Sequence, residues 1–200
     1  YTLIDAFSKK FKNCQIGIGG QNCHESESYG SYTGSVNPRM LKNIGADFVI
    51  IGHSENRKKG ENDKLINLKI KSAIQAKLKV IFCIGETLTE KIKKKTQSIL
   101  SRQIKVGLDG IKNKSNIFIA YEPVWAIGTG MIPKSKDLFK IIKFIKNKFK
   151  DKQPKVLYGG SVSSQNINSL KEINNIDGFL IGGASQNAKK FIDIVKKTYS

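Results

Sequence analysis

A glutamate stands where an apolar stretch of the chain gives way to a proline and a glycine-containing loop. In IAYEPVWAIGTG, residues 119–130, Glu122 follows a short apolar run, and Pro123 ends any further ladder hydrogen bonding. A carboxylate at a strand end can act as a general base, and Gly128 and Gly130 give the following loop backbone freedom. Trp125, the only tryptophan, is predicted to lie on this exposed loop. The pattern predicts either a capped strand with a turn or a catalytic base followed by a hinged lid.

A second group suited to catalysis is His53, in the segment IIGHSENR, residues 50–57. It ends an apolar run, and Ser54 and Glu55 open the next turn. A single histidine is more often a structural residue than a catalyst. Because the start of a helix disfavours the charged imidazole, the position favours a neutral ring that donates a hydrogen bond.

Two glycine pairs follow the last two apolar runs of the chain. LYGGSVSSQN contains Gly159, Gly160 and Ser161, and LIGGASQN contains Gly182 and Gly183. The exposed amides of such a turn can point at an anion, although one pair alone would predict only a tight turn. Two similar pairs on neighbouring strands predict a phosphate site.

Several other segments resemble known binding motifs but lack a residue that the motif requires. GIGGQN lacks the third glycine and the downstream acid of a dinucleotide fingerprint, and in GTGMIPKS Pro133 takes the place of the P-loop glycine. The sequence has no histidine–carboxylate spacing typical of a metal site and no Gly-x-Ser-x-Gly motif. We therefore expect no cofactor, no metal and no serine nucleophile.

The elements that must position these groups alternate along the chain. Near-continuous apolar runs predict six parallel strands covered on both faces, at 15–22, 47–53, 79–86, 117–123, 155–161 and 178–184. Amphipathic spacing predicts helices between them, at 63–77, 88–106, 138–149, 164–173 and 188–197. Strict alternation of strand and helix predicts an α/β fold with right-handed crossovers.

The strand ends favour a closed barrel over an open sheet. Polar or glycine signatures follow nearly every run, in GGQN, GHSE, GE, YEP, YGGS and GGAS. Chemistry spread over many strand ends is typical of the TIM-type (β/α) barrel, whereas an open sheet concentrates it at one switch point. The sequence predicts a single domain, residues 1–200, with an incomplete barrel of about six parallel strands.

Composition and charge weigh against some classes of function. The 35 basic and 16 acidic residues give a net charge of +19, but only three of the basic residues are arginine, and the lysines are dispersed. Nucleic-acid sites favour clustered arginines and aromatics, so nucleic acid is an unlikely partner. No apolar run has the length of a membrane span, and three cysteines predict free thiols in a reducing cytoplasm.

Seven motifs, spread along the whole chain, resemble the triosephosphate isomerase family. In order, they are GGQN, SYTGS, IGHSE, CIGE, YEPVWAIGTG, YGGSV and FLIGGAS. The resemblance implies interconversion of dihydroxyacetone phosphate and glyceraldehyde 3-phosphate, in glycolysis and gluconeogenesis, without a cofactor. It implies that Glu122 is the base that moves a proton between C1 and C2 of the triose phosphate. His53 would polarise the carbonyl group, and Glu55 would support the rim of the site.

The same resemblance implies a lid, a phosphate site and an interface loop. The lid would comprise Pro123, Val124, Trp125, Ala126, Ile127, Gly128, Thr129 and Gly130. The phosphate would be held by Gly128, Gly130, Ser161, Gly182 and Gly183. Thr33 would stand at the tip of a loop that enters the partner subunit of the family dimer, but Ser35 and Asn56 replace the charged residues usual at that interface, so we expect it to be altered.

The sequence also departs from the family in length. A typical barrel has about 250 residues and eight strand–helix units, whereas YTLIDAFSKKF, at residues 1–11, resembles the family's second helix. The family's asparagine and lysine at the end of the first strand have no counterpart here. Losing one such electrostatic group costs about 10²–10³ in rate, so we expect the chain alone to be inactive or very weak.

Two strands, at 15–22 and 178–184, are expected to lack neighbours. Unpaired edges seek partners, so we expect self-association through them. Three alternatives stay open at this point: a non-catalytic, self-associating barrel fragment that at most binds phosphate, a nucleic-acid-binding module, and a different phosphate-binding barrel enzyme.

Overall fold

The computed structural model of the chain describes residues 1–149 and 152–200. It comprises two compact units. Unit 1 consists of Tyr1–Cys83 and Gln103–Phe118, and unit 2 of Ile84–Arg102 and Ile119–Ser200. The interpretation of the chain as a single domain stays a prediction.

All six predicted strands form, but each is shorter than the sequence suggests. They are β1 (Gly19–Gly20), β2 (Phe48–Ile51), β3 (Lys79–Ile84), β4 (Ile117–Tyr121), β5 (Val156–Tyr158) and β6 (Gly178–Phe179). Their order in the sheet follows the sequence, and β1–β2, β2–β3, β4–β5 and β5–β6 are parallel pairs. Glycine or proline lies within two residues of the ends of β2, β3, β4 and β5, at Gly52, Gly85, Pro123 and Gly159, where these strands stop.

Helices separate the strands as predicted, with one correction. They are α1 (Ile4–Lys10), α2 (Pro38–Asn43), α3 (Ser54–Lys58), α4 (Asp63–Gln75), α5 (Leu88–Ile92), α6 (Thr96–Gly107), α7 (Ser135–Lys146), α8 (Ile167–Lys171) and α9 (Ala188–Tyr199). The single helix predicted at 88–106 is wrong, because it is two helices, α5 and α6. Lys94 adopts a left-handed conformation with φ of 55°, which ends the first of them.

In unit 1 the core forms between the strands and α4. Val49 of β2 and Val80 of β3 are fully buried, as are Ile66 and Ile70 on the inner face of α4. The Asn62 side chain caps α4 by accepting from two backbone amides of its first turn. The cap fixes where α4 begins, and the apolar face with Ile66 and Ile70 packs into the core.

In unit 2 the corresponding partner is α7. Leu138, Ile142 and Ile145 are fully buried, which confirms the amphipathic spacing read from the sequence. Tyr121 of β4 and Tyr158 of β5 are among the largest fully buried side chains. Burial of their rings fixes the ends of the two strands that carry the candidate site residues.

Among the described residues, β1 pairs only with β2, and β6 only with β5. In the same part of the chain, no helix combines the length and the apolar character needed to cross a bilayer.

Candidate active site

Glu122 lies directly after β4, and the backbone on both sides fixes its position. Its amide donates to the Ile84 carbonyl oxygen at 2.8 Å, and the residue is 3% exposed. Gly159, directly after β5, leaves the space that the side chain fills: a Cβ there would lie 2.7 Å from Glu122 Cγ. A Cβ on Gly85, directly after β3, would lie 1.8 Å from the Glu122 carbonyl oxygen. Two glycines thus allow the glutamate to sit buried at the carboxyl ends of the strands.

His53 is the N-cap residue of α3. Its Nδ1 accepts a hydrogen bond from the Glu55 amide at 3.3 Å, so the neutral ring carries its proton on Nε2. Burial lowers the pKa of His53 below its ordinary value of 6.5, the Glu55 carboxylate opposes the shift, and the Lys58 ammonium adds to it. The sequence predicted a neutral imidazole that donates a hydrogen bond, and the structure adds that Nε2 is the donor.

The first part of the predicted lid is a 3₁₀ turn, Val124–Ala126, anchored by Trp125. Trp125 is less exposed than the sequence suggests, because its Nε1 donates to Glu86 Oε1 at 2.9 Å. The Tyr121 hydroxyl donates to the same carboxylate, 3.2 Å from each oxygen. The Lys91 ammonium lies 3.2 Å from the centroid of the Trp125 ring. These contacts fix the start of the predicted lid to Glu86, the second residue after β3, and to Lys91 of α5.

Ser161 joins the later part of the lid to the loop after β5. Its hydroxyl donates to the Ala126 carbonyl oxygen at 2.6 Å and accepts from the Gly130 amide at 3.0 Å. Gly128 and Gly130 have φ of 69° and 76°, a region in which side chains are disfavoured. The two glycines allow the loop to turn back towards the serine.

The family model for triosephosphate isomerase matches residues 1–198. The chain belongs to the triosephosphate isomerase family. Curated relatives with that name include one from Thermodesulfovibrio yellowstonii, 45% identical, with 98% of this chain and 82% of the relative covered. Another, from Chlorobium luteolum, is 42% identical, and 98% of this chain and 81% of that relative are covered.

A solved structure supports the same family assignment. The crystal structure of triosephosphate isomerase from Bartonella henselae matches with a TM-score of 0.90 and 38% sequence identity, over 100% of this chain and 84% of that chain. The predicted TIM-type α/β fold with six parallel strands is confirmed by this likeness. The family is one of isomerases, and its members are generally oligomeric.

Within unit 2 the fold brings several of the residues predicted from the family resemblance together. Glu122 packs against Gly159, and Ser161 bonds to both ends of the segment from Ala126 to Gly130. Gly182 and Gly183 are exposed at the start of the 3₁₀ turn Gly183–Gln186. No hydrogen bond between described residues joins these two glycines to Ser161.

His53, Glu55 and Thr33 belong to unit 1. The Glu55 side chain is exposed, while the backbone amide of Glu55 donates to His53 Nδ1. Thr33 is exposed in a turn closed by the Ser35 amide, which donates to the Tyr32 carbonyl oxygen. Such an exposed tip is compatible with the interface loop expected from the triosephosphate isomerase family.

Sequence reasoning missed the role of Glu86. This residue is 1% exposed and ends the segment Cys-Ile-Gly-Glu, so it is the second residue after β3, whereas Glu122 is the first residue after β4. A glutamate close behind an apolar run was the available signal. Burial and the Glu86 carboxylate raise the pKa of Tyr121 well above its ordinary value, so the tyrosine remains a hydrogen-bond donor to Glu86.

Cys23 and Cys83 are buried and Cys14 is exposed. Burial raises the pKa of Cys23 to about 12, which leaves its thiol protonated and unreactive. Among the described residues, no group of three or more histidine, cysteine or acidic side chains could hold a metal ion.

Proposed function

We propose that the chain interconverts dihydroxyacetone phosphate and glyceraldehyde 3-phosphate, with Glu122 as the base. The observation that carries the proposal is the near-complete burial of this carboxylate, in a space that Gly159 keeps open. A carboxylate removes a carbon-bound proton more readily when water does not solvate it. Glu122 takes the proton from one carbon of the substrate and returns it to the neighbouring carbon.

His53 supplies the electrophile in this proposal. Its Nε2–H donates to the substrate carbonyl oxygen and stabilises the negative charge that develops there. Two findings support a neutral donor: Nδ1 accepts from the Glu55 amide, and burial lowers the pKa of the ring. The exposed Glu55 side chain supports the rim of the site.

The lid and the glycine loops serve the phosphate and exclude water. Residues 123–130 close over the substrate, and the contacts of Trp125 and Ser161 support an ordered lid. The phosphate is held by Gly128, Gly130, Ser161, Gly182 and Gly183. Backbone amides of glycine turns can approach such an anion closely, and the net charge of +19 favours its arrival.

Self-association through β1 and β6 belongs to the same proposal, with a second copy of the chain as the partner. Each of these strands has one paired neighbour among the described residues, so its other edge offers unpaired backbone groups. Exposed apolar side chains occur nearby in sequence, at Ile16 before β1 and at Phe191 and Ile192 on α9. Sedimentation at micromolar concentration tests this, and a clean monomer contradicts it. A cytoplasmic location stays a prediction.

The decisive experiment measures isomerisation and hydrogen exchange at the substrate carbons. Dihydroxyacetone phosphate is incubated with the chain in D₂O, and NMR follows both aldehyde formation and deuterium at the reacting carbons. Glu122→Gln should lower the rate about 10²–10⁴-fold, as expected for loss of a general base. Glu172→Gln, an exposed carboxylate at the end of α8, is the matched control and should leave the rate unchanged.

Binding of 2-phosphoglycolate, measured by calorimetry, separates the alternatives. Binding together with turnover that depends on Glu122 supports the proposal. Binding without turnover in the parent chain indicates the non-catalytic phosphate binder, and neither binding nor turnover overturns both. The expectation from the sequence that the chain alone is inactive or very weak stays a prediction, which the same assay tests.

A further inference from the structure

We propose that Arg57 is a positioning residue for His53: its guanidinium group fixes the peptide that precedes the imidazole and so sets the direction in which the ring donates. The inference rests on the proposed role of His53 as electrophile. It goes beyond that role because it assigns the cause of the ring's orientation to a residue outside the reacting groups.

Three nitrogens of Arg57 have separate partners. Nε donates to the Gly52 carbonyl oxygen at 2.8 Å, Nη2 donates to the Cys83 carbonyl oxygen at 3.1 Å, and Nη1 donates to Asp63 Oδ1 at 2.6 Å. The Gly52 carbonyl belongs to the same planar peptide as the His53 nitrogen. Arg57 therefore holds the backbone of the histidine against the end of β3.

The peptide bonded by Arg57 follows Gly52, a glycine in a left-handed conformation. Gly52 has φ of 77°, a conformation open to glycine, and a Cβ there would lie 3.1 Å from the Cys83 carbonyl oxygen and 3.2 Å from Arg57 Nη2. The arginine thus occupies the space beside the glycine and donates across it. No single ammonium group can copy this geometry, because it requires a planar fork with donors in fixed directions.

Burial makes the arrangement strong. The Arg57 and Asp63 side chains are 17% and 14% exposed. Arg57 lies in the last turn of α3 and Asp63 in the first turn of α4, where each charge is favourable with respect to its helix dipole. Since removal of one partner would leave the other charge poorly compensated, the pair restrains the turn between β2 and α3.

The imidazole depends on that restraint. The Glu55 amide lies 3.3 Å from Nδ1, near the long limit for a hydrogen bond. A shift of the His53 backbone by a few tenths of an ångström would lengthen this contact beyond bonding range. The preference for a proton on Nε2 would then weaken.

The test is Arg57→Lys in the complete 200-residue chain. Nitrogen NMR of the histidine rings, above the pH at which they titrate, reports the tautomer without any need for turnover. His53→Gln identifies the His53 signals by their loss. The parent should show the Nε2–H form, and Arg57→Lys should show a mixture of both neutral tautomers.

Kinetics supply a second readout. Arg57→Lys should lower kcat about 10- to 100-fold, because small misplacement of a catalytic group costs that much, while the affinity for 2-phosphoglycolate stays unchanged. Arg39→Lys is the matched control, since Arg39 pairs with Glu27 at 3.8 Å on the surface. It should alter neither tautomer nor kcat.

Some outcomes would overturn the inference. A lower melting temperature in Arg57→Lys with the parent tautomer and parent kcat would leave only a structural role. If Arg57→Lys does not fold, Asp63→Asn replaces it as the test. Asp63→Asn should shift the tautomer in the same direction by a smaller amount, and an unchanged tautomer would contradict the proposal. A tautomer shift in a chain without turnover would support Arg57 as positioner and overturn the proposed function instead.

Discussion

The two proposed catalytic groups are held in opposite ways. Glu122 is almost completely buried, and its position depends on space left by glycines after the neighbouring strands. His53 is partly exposed, and its position depends on directed hydrogen bonds from the Glu55 amide and from Arg57 to the preceding peptide.

The difference follows from what each group has to do. A base that abstracts a carbon-bound proton gains from loss of water, so close packing serves it. A neutral donor gains from a fixed direction towards a developing negative charge, so a hydrogen-bonded turn serves it. Variants that disturb packing should therefore affect the glutamate, and variants that disturb hydrogen bonds should affect the histidine.

The largest effects are expected from changes to the groups themselves. Glu122→Asp retracts the carboxylate by one methylene, and His53→Gln replaces the ring with an amide that still donates. Each should lower kcat about 10²-fold, because a displacement of one ångström can cost that much. Steady-state kinetics measure the change, and circular dichroism checks the fold. Parent-like kcat in either variant would contradict the assigned role.

A smaller effect is expected from filling the space beside the base. Gly159→Ala places a methyl group 2.7 Å from Glu122 Cγ and should lower the free energy of unfolding by about 1–3 kcal/mol, the usual cost of overpacking. Urea denaturation measures the change. Gly183→Ala has open space around its Cβ and should leave the stability unchanged. Equal stabilities of the two variants would show that the packing argument is wrong.

Removing the hydroxyl that fixes the lid should have a modest effect. Ser161→Ala loses the bonds to the Ala126 carbonyl and the Gly130 amide, and should weaken 2-phosphoglycolate binding by about 1 kcal/mol per bond lost. Calorimetry measures the affinity, and Trp125 fluorescence reports whether the start of the lid has moved. The control is Ser98→Ala, whose hydroxyl donates to the carbonyl oxygen of Lys95, the residue before α6. Unaltered affinity in Ser161→Ala would remove the serine from the phosphate site.

The smallest effect is expected from titration of His53. Its folded pKa lies below 6.5, so the unfolded chain takes up a proton first as the pH falls. The contribution of His53 to stability is therefore complete above pH 6.5 and is lost as the pH falls through the folded pKa. An NMR titration measures the midpoint, with His53→Gln to assign the signal. A midpoint at or above 6.5 would contradict the burial argument.

Much of the fold could be predicted from local patterns. The apolar runs located all six strands, and the spacing of Leu138, Ile142 and Ile145 located the buried face of α7. The break between α5 and α6 could not be predicted, because a lysine at position 94 gives no local signal for a left-handed conformation. Strand ends were also overestimated, since hydrophobicity does not show where ladder bonding stops.

The candidate site divides in the same way. The sequence predicts Glu122, His53 and the glycine pairs as site residues, because each is of a suitable type and follows an apolar run. The partners of Trp125 do not, because Glu86 and Lys91 lie more than thirty residues earlier in the chain and only folding brings them to the indole. The hydrogen-bond partners of the Arg57 guanidinium group could not be predicted from the sequence either, since two of the acceptors are backbone carbonyl oxygens.

The sequence by itself determined the family, the order of strands and helices, and the chemical types placed after each strand. Hydrophobic period and residue type are local properties, and they survive without knowledge of contacts. Only the tertiary structure decided how deeply Glu122 is buried, which ring nitrogen of His53 carries the proton, and which residues bond to the segment from Trp125 to Gly130. Those properties depend on which distant backbone groups arrive within hydrogen-bonding distance, and that is fixed by packing of the whole chain rather than by any segment of it.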